Sequence, residues 1–255
     1  VLVLALDTST AACSVALVEL GVSPTAPVPA AGVAPAGHVL AERSAWDARR
    51  HGELLAPMIS EVLAAARVRS PEVAAVVVGT GPGPFTSLRV GLVSAAAFAA
   101  ALGIPVHGVC SLDGIGAATS GPVGVVTDAR RSEVFWARYQ DGARLGAPGV
   151  GAPAGVAAEL RASGATRVTG PGVALYPAAF APELFAPSPG LAGAAGAVGS
   201  VGGNVEPGSP SPAVLVRLVA DDILRGVPPG TLTPLYLRRP DAAEPRPPKT
   251  VTAAG

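Results

Sequence analysis

Twice in this chain an apolar strand ends in aspartate, turns on a short polar loop and returns as an alternating strand. The first instance is 2–6, then Asp7-Thr8-Ser9-Thr10, then 14–19. The second is 123–128, closed by Asp128, then Ala129-Arg130-Arg131, then 133–140. Continuous apolar runs read as buried strands and period-two alternation as half-buried ones. Helical stretches follow each hairpin, and this repeated unit calls for two α/β lobes with mixed sheets. In such folds the aspartate ending a first strand faces the cleft between lobes, where its carboxylate can hold a metal-bound water beside a phosphate. The plainer reading is an aspartate capping its own turn.

The stretch from Gly79 to Gly91 joins a buried-type strand (73–78) to an apolar helix (86–102) through Gly79-Thr-Gly-Pro-Gly-Pro84. Glycines at 79, 81 and 83 permit positive φ and close backbone approach, and Pro82 and Pro84 stiffen the turn. Thr86 or Ser87 is placed to cap the helix, whose free N–H groups suit an anion. The loop is neither a Walker A sequence nor G-x-G-x-x-G. Gly91, Ala95 and Ala99 recur every four residues, a spacing for close helix contact. Gly103 is the expected C-terminal cap.

Around this loop, 39–44 reads as a third strand. Residues 51–67 read as a helix with Leu54, Leu55, Met58, Ile59, Val62, Leu63 and Ala66 on one stripe; Pro57 must lie in its first turn or kink it. Further along, 106–109 and 167–170 read as short strands, and 112–119, 155–163 and 213–225 as helices. Residues 177–184 read as irregular and 235–237 as a short terminal segment. Gly/Pro-rich 21–37 and 187–212 are loop insertions, and 241–255 is a tail. The expected division is an N-terminal lobe at 1–106, a C-terminal lobe at 107–240 that includes 187–212, and the flexible tail.

Eighteen basic residues balance eighteen acidic ones, which argues against a broad nucleic-acid or membrane footprint. Aromatics are only 4% of the chain, so the core must be built from Ala, Val and Leu. Cys13 and Cys110 sit in apolar contexts and read as buried free thiols. The start shows no secretory pattern, and the apolar run 90–102 is short for a bilayer, so a cytoplasmic protein is expected. Val1 stands where Met is usual, as a GTG start or a processed end would leave it. His38, His51 and His107 share no ligand spacing, and Asp113 and Asp128 lack partners, so no metal site is expected. His51 opens a helix, which favours a capping or contact role. His107 reads as structural, and Glu133 as the salt-bridge neighbour of Arg130 and Arg131.

Five segments occur together in order: Leu-Asp-Thr-Ser-Thr at 6–10 with Ala-Cys-Ser-Val-Ala-Leu at 12–17; Arg-His-Gly-Glu-Leu-Leu-Ala-Pro-Met at 50–58; Gly-Pro-Gly-Pro-Phe-Thr-Ser-Leu-Arg-Val-Gly at 81–91; Asp-Ala-Arg-Arg-Ser-Glu-Val-Phe-Trp-Ala at 128–137; and Pro-Leu-Tyr-Leu-Arg-Arg-Pro at 234–240. Jointly they resemble the bacterial TsaB (YeaZ-like) family, which acts in making threonylcarbamoyladenosine on tRNA. Pro84 stands where that family commonly has Ser, and Ser87 where it commonly has Gly.

The resemblance implies a two-lobed actin/Hsp70-like fold (ASKHA, RNase H-like), with mixed sheets flanked by helices. It implies a non-catalytic scaffold, with no catalytic residues, that joins its paralogue TsaD as a direct heterodimer and the small ATPase TsaE. Contact with tRNA comes through the complex, and a homodimer in isolation is left open. TsaD-like subunits carry a metal-binding His-x-x-x-His pair where this chain reads Val109-Cys-Ser-Leu-Asp-Gly-Ile-Gly116. Nucleotide binding at Asp7, Thr8 and Ser9 is expected to be weak and vestigial, with ATP or ADP held by the complex and no cofactor by this chain alone. The expected TsaD interface uses the 51–67 and 86–102 helices, through His51, Leu55, Met58, Val62, Arg89, Ala95 and Ala99. Arg130 and Arg131 could reach a partner or tRNA, against the plainer reading of a solvated turn. Two alternatives are an ATP-dependent sugar or acid kinase using Asp7 and the glycine loop, and a glycoprotease-type metallopeptidase. No second phosphate loop with a catalytic aspartate is recognisable for the former, and the latter lacks its histidine pair.

Overall fold

The computed structural model describes residues 1–21, 37–180 and 208–238. The loop insertions and the tail expected at 21–37, 187–212 and 241–255 lie largely or wholly outside the described residues.

The first sheet has five strands: β1 (Leu2–Asp7), β2 (Ala12–Glu19), β3 (His38–Trp46), β4 (Ala75–Gly79) and β5 (Val106–Val109), in the order β3-β2-β1-β4-β5. β1, β2 and β3 form an antiparallel meander, and β4 and β5 run parallel to β1 and to each other. The second sheet has four: β6 (Pro122–Asp128), β7 (Val134–Gln140), β8 (Ala143–Gly151) and β9 (Arg167–Thr169), in the order β8-β7-β6-β9. It repeats the pattern of the first, with an antiparallel meander and then a strand parallel to the first. The helices are α1 (His51–Ala66), α2 (Phe85–Leu102), α3 (Asp113–Gly116), α4 (Pro153–Ala162), α5 (Gly172–Leu175) and α6 (Pro212–Leu224).

Alternation along β1 sorts the two faces of the first sheet. Leu4 and Leu6 meet Leu55, Met58 and Val62 of α1 and Leu88, Leu92, Ala95 and Ala99 of α2. Val3 and Ala5 meet Leu215, Val216 and Ala220 of α6 on the opposite face. This is the period-two geometry of a strand covered on both sides. α6 starts on Ser211, whose hydroxyl accepts the Val214 N–H at 3.4 Å, with Pro212 in the first turn. Pro57 lies within α1 on its exposed side, where it deletes the N–H that would reach the Glu53 carbonyl. α1 and α2 both end on left-handed residues, Arg67 (φ 57°) and Gly103 (φ 67°), whose N–H groups return to carbonyls of the last turn.

The second sheet packs Val126, Val134 and Val168 against Val156 and Leu160 of α4 and against Phe180. Its other face joins Val125, Ala137 and Tyr139 to Leu112 and Ile115 around α3. Tyr139 donates its hydroxyl to Asp113 Oδ1 at 2.7 Å, and Arg144 Nε lies 3.0 Å from the same oxygen. A segment after α6 links the halves. Leu235 N–H donates to the Thr80 carbonyl at 2.8 Å, and Arg238 donates to the Ala129 carbonyl and pairs with Glu133.

β8 is a strand the sequence does not announce. It is built from Ala, Arg, Leu, Gly, Pro and Val, lies at the sheet edge and is largely exposed, so it carries no hydrophobic alternation. By length and composition α2 could cross a membrane, although one side of it is packed on the first sheet.

Candidate functional site

β1 and β4 run side by side, so the turn after β1 and the glycine loop after β4 emerge at the same edge. Asp7 Oδ1 accepts the Ser9 N–H at 2.8 Å and the Ser9 hydroxyl at 2.7 Å. Thr8 donates its hydroxyl to the Ser87 carbonyl in the first turn of α2 at 2.7 Å. Gly81 N–H donates to Ser111 Oγ at 3.0 Å, and Ser111 N–H returns to the Gly81 carbonyl at 2.7 Å. The loop is thereby tied to the turn on one side and to the residues after β5 on the other.

Of the three loop glycines, only Gly81 has positive φ, at 94°. Gly79 and Gly83 serve close approach instead. A Cβ at Gly79 would collide with the Asp7 carboxylate and Ser111 Oγ, one at Gly83 with the Ser9 backbone, and one at Gly91 with Thr8 Oγ1. The Gly81–Pro82 peptide bond is cis. α2 begins at Pro84 without a side-chain cap, so the capping expected of Thr86 or Ser87 does not occur: Ser87 lies inside the first turn, and its carbonyl holds Thr8.

The result is a closed turn. Asp7, Thr8 and Ser9 are each 1% exposed, and Asp7 Oδ2 has no hydrogen-bond partner. Burial pushes the Asp7 carboxyl above its ordinary value, against the pull of the Ser111 and Ser9 hydroxyls, the Ser9 N–H and the charge of His51. His51 is itself buried, and its Nε2 has no partner. A phosphate needs accessible donors, and here the backbone of Gly79 and Gly83 stands against the turn. In this arrangement Asp7, Thr8 and Ser9 present almost no accessible surface to a ligand.

The corresponding turn of the second unit is open. Asp128 Oδ1 accepts the Arg130 N–H at 2.7 Å, and Arg130 Nη1 lies 3.4 Å from Asp128 Oδ2. Arg130, Arg131 and Ser132 all have positive φ, at 63°, 51° and 58°. Glu133 pairs with Arg238, so its expected role as neighbour to Arg130 and Arg131 is replaced by a contact from the far end of the chain. A cavity of about 620 Å³ runs from Trp46 and Thr10 past Pro84, Asp128 and Arg130 to Gly170. A second, of about 430 Å³, lies between Phe85, Phe135, Arg131 and Tyr236 and also borders Pro84 and Arg130. Neither Asp7, Thr8 nor Ser9 lines either cavity.

Six of the seven residues expected at a partner interface turn inward. His51, Leu55, Met58, Val62, Ala95 and Ala99 are between 0% and 5% exposed, the aliphatic ones among them in the core between the helices and the sheet. The stripe on α1 is the sheet-facing stripe. α2 is apolar all round, so its four-residue repeat could not say which side faced out. Arg89 is exposed; its guanidinium lies over the Phe85 ring at 3.9 Å, and Nε donates to the Tyr236 hydroxyl at 3.2 Å. The outward faces carry Ala56, Pro57, Ala64 and Ala65 on α1, and Val93, Ala96, Ala97 and Ala100 on α2. Ser111, Tyr236 and Arg238 were not singled out by sequence reasoning, although the 234–240 segment was the available signal for the last two. His38, His51 and His107 lie on β3, at the start of α1 and on β5. Among the described residues, no three His, Cys, Asp or Glu side chains group as a metal site.

A family model described as TsaD, tRNA N6-adenosine threonylcarbamoyltransferase, matches residues 38–153. An uncharacterised Mycobacterium tuberculosis protein is 48% identical over 80% of this chain and 82% of its own length. A Mycobacterium leprae relative is 46% identical over 94% of this chain, which spans only 56% of that protein. The Escherichia coli tRNA threonylcarbamoyladenosine biosynthesis protein TsaB is 32% identical over 54% of each chain. Among solved structures, YeaZ from Pseudomonas aeruginosa superposes with a TM-score of 0.64 at 26% identity, covering 92% of this chain and 99% of that one. The repeated sheet order is the actin-like, RNase H-like architecture of those neighbours, and the chain belongs to the TsaB (YeaZ-like) family.

Proposed function

We propose that this chain acts in threonylcarbamoyladenosine biosynthesis on tRNA, as a cytoplasmic, non-catalytic subunit that docks a TsaD-type transferase and works with TsaE. The observation that carries this reading is its similarity to proteins named for that pathway, the family model covering residues 38–153, from β3 through α1 and α2 to β8. Closure of the glycine loop on Asp7, Thr8 and Ser9 supports a non-catalytic role, because a phosphotransfer site needs that turn open.

The docking surface in this reading is the outward face of α1 and α2, two helices in contact on one side of the first sheet. Ala, Pro and Val there let a partner's helices approach closely, and the exposed Glu53 and Glu61 of α1 and Arg89 of α2 supply charge on the same surface. The test is reconstitution. The chain is expected to co-purify with TsaD and to be required, with TsaE, for threonylcarbamoylation of unmodified tRNA, read by nucleoside mass spectrometry. Full modification by TsaD and TsaE without this chain would sink the reading.

A further inference from the structure

The chain that follows α6 crosses between the two sheets on few anchors. Residues 227–238 form no helix or strand, and none of them is buried. Leu232 packs against the first core beside Gly108, and the Leu235 N–H donates to the Thr80 carbonyl at 2.8 Å. The Tyr236 ring lies 5.0 Å from that of Phe85, and its hydroxyl accepts from Arg89 Nε at 3.2 Å, both at the start of α2. Arg238 then reaches the other sheet. Its Nη1 donates to the Ala129 carbonyl at 3.0 Å, and its Nη2 pairs with Glu133. The turn it grips holds three successive residues at positive φ, Arg130, Arg131 and Ser132. Left-handed backbone costs free energy at each residue with a side chain, and it persists where the surroundings fix it. Arg238 takes hold of this turn at both ends, through the Ala129 carbonyl and the Glu133 carboxylate.

Among the described residues, segment 232–238 has one backbone hydrogen bond to another part of the chain, from Leu235 to Thr80. The side chains of its terminal ion pair are 29% and 35% exposed. Such a segment belongs to the low-stability end of a structure, where local opening costs far less than unfolding. We propose that 232–238 is a releasable strap that joins the start of α2 to the turn 129–133, so that the two loosen and tighten together. When the strap leaves, Phe85 loses its aromatic neighbour and the left-handed turn loses its outside grip. The ion pair is the point of release, which makes the strap sensitive to salt. A partner seated on α2 is felt at the turn through this strap; that consequence rests on the docking reading above, whereas the strap itself does not.

Amide hydrogen exchange of the whole chain, resolved by NMR, tests this without a partner protein. Arg238→Ala should speed exchange about tenfold or more, the scale of losing a hydrogen bond to a charged group. The effect should appear at Leu235 in the strap and at Ala129 and Glu133 in the turn, whose N–H groups bond to Thr80, Glu133 and Arg130. Leu4 and Val77 in the first sheet should keep their parental rates. Glu133→Gln should reproduce the effect at Leu235. Tyr236→Ala removes anchors on the first-sheet side only, yet it should speed the turn amides as well. Raising KCl to about 1 M should speed Leu235 in the parent and not in Arg238→Ala. Parental rates at Leu235 in both Arg238→Ala and Glu133→Gln would overturn the proposal, as would a Tyr236→Ala effect confined to the strap. Salt-insensitive exchange at Leu235 in the parent would overturn the ion pair as the point of release. Loss of protection at Leu4 and Val77 along with the rest would make these contacts part of the global fold, and that too overturns a separately releasable strap.

Discussion

The carboxylate of Asp7 occupies the space in which a side chain at Gly79 would stand. The last residue of β4 and the last residue of β1 are therefore one packing unit. Gly79→Ala should destabilise the chain by about 3 kcal/mol or more, as overpacking against a buried group does. Thermal melting should show a drop on the order of 6–12 °C. In the Asp7→Ala background the same substitution should cost much less, and a double-mutant cycle should give a coupling of about 1–3 kcal/mol. Simple additivity would mean the two positions do not share this space.

Asp7→Asn tests the electrostatics of the closed turn. Burial raises the native carboxyl above the value it has in the unfolded chain, about 3.9. Between those two values the unfolded state binds fewer protons than the native state, so stability falls as pH rises through that window. Asparagine keeps the Oδ1 acceptor for Ser9 and removes the ionisation. The variant should be more stable than the parent at pH 7, on the order of 1 kcal/mol, with the gain vanishing near pH 3. A loss of stability at pH 7 would show that the carboxylate is held charged.

Buried and outward positions on α2 should respond differently to the same charge. Ala95→Arg places a guanidinium in the core and should leave little folded protein, because an unpaired buried charge costs several kcal/mol. Val93, 66% exposed, should accept arginine with near-parental circular dichroism and melting temperature. In the scaffold reading that folded variant buries an unpaired charge on docking, at a cost of about 3 kcal/mol, which is a roughly hundredfold loss of TsaD affinity. Parental affinity in Val93→Arg and likewise in Ala97→Arg would move the interface elsewhere.

The two thiols should be inert while the chain is folded. Burial pushes Cys13 up to about 12, with the Asp7 charge adding to it, and Cys110 up to about 11, with Asp113 adding. At pH 8 about one Cys110 in a thousand is then thiolate, and fewer of Cys13. Ellman's reagent should label neither in the native chain within minutes and both in denaturant; fast native labelling of one would show local opening there.

Much of the fold is visible in the sequence because burial on both faces leaves an unambiguous strand. Leu2 to Leu6 and Val76 to Val78 have no polar interruption, and the repeated aspartate marks where each unit turns. β8 escapes because an exposed edge of Ala, Gly and Pro needs no alternation to be paired. The site is less legible. Gly79 and Gly83 look like positions that need unusual φ, but close approach explains them, and that depends on which turn lies opposite. Ala95 and Ala97 are the same residue on the same helix, one covered and one bare. Only the sheet beneath decides between them. Arg238 finds Glu133 across a separation that no local pattern encodes.

α6 has a consequence for how the chain is made. It covers the face of the first sheet that Val3, Ala5, Ala16 and Val77 present, yet it is synthesised roughly two hundred residues after β1. At about 5–20 residues per second the β1 part of that face waits on the order of 10–40 s for its cover. During that interval the ribosome carries a sheet clad on one side only. Its aliphatic side chains stay without their cover until Pro212–Leu224 arrives.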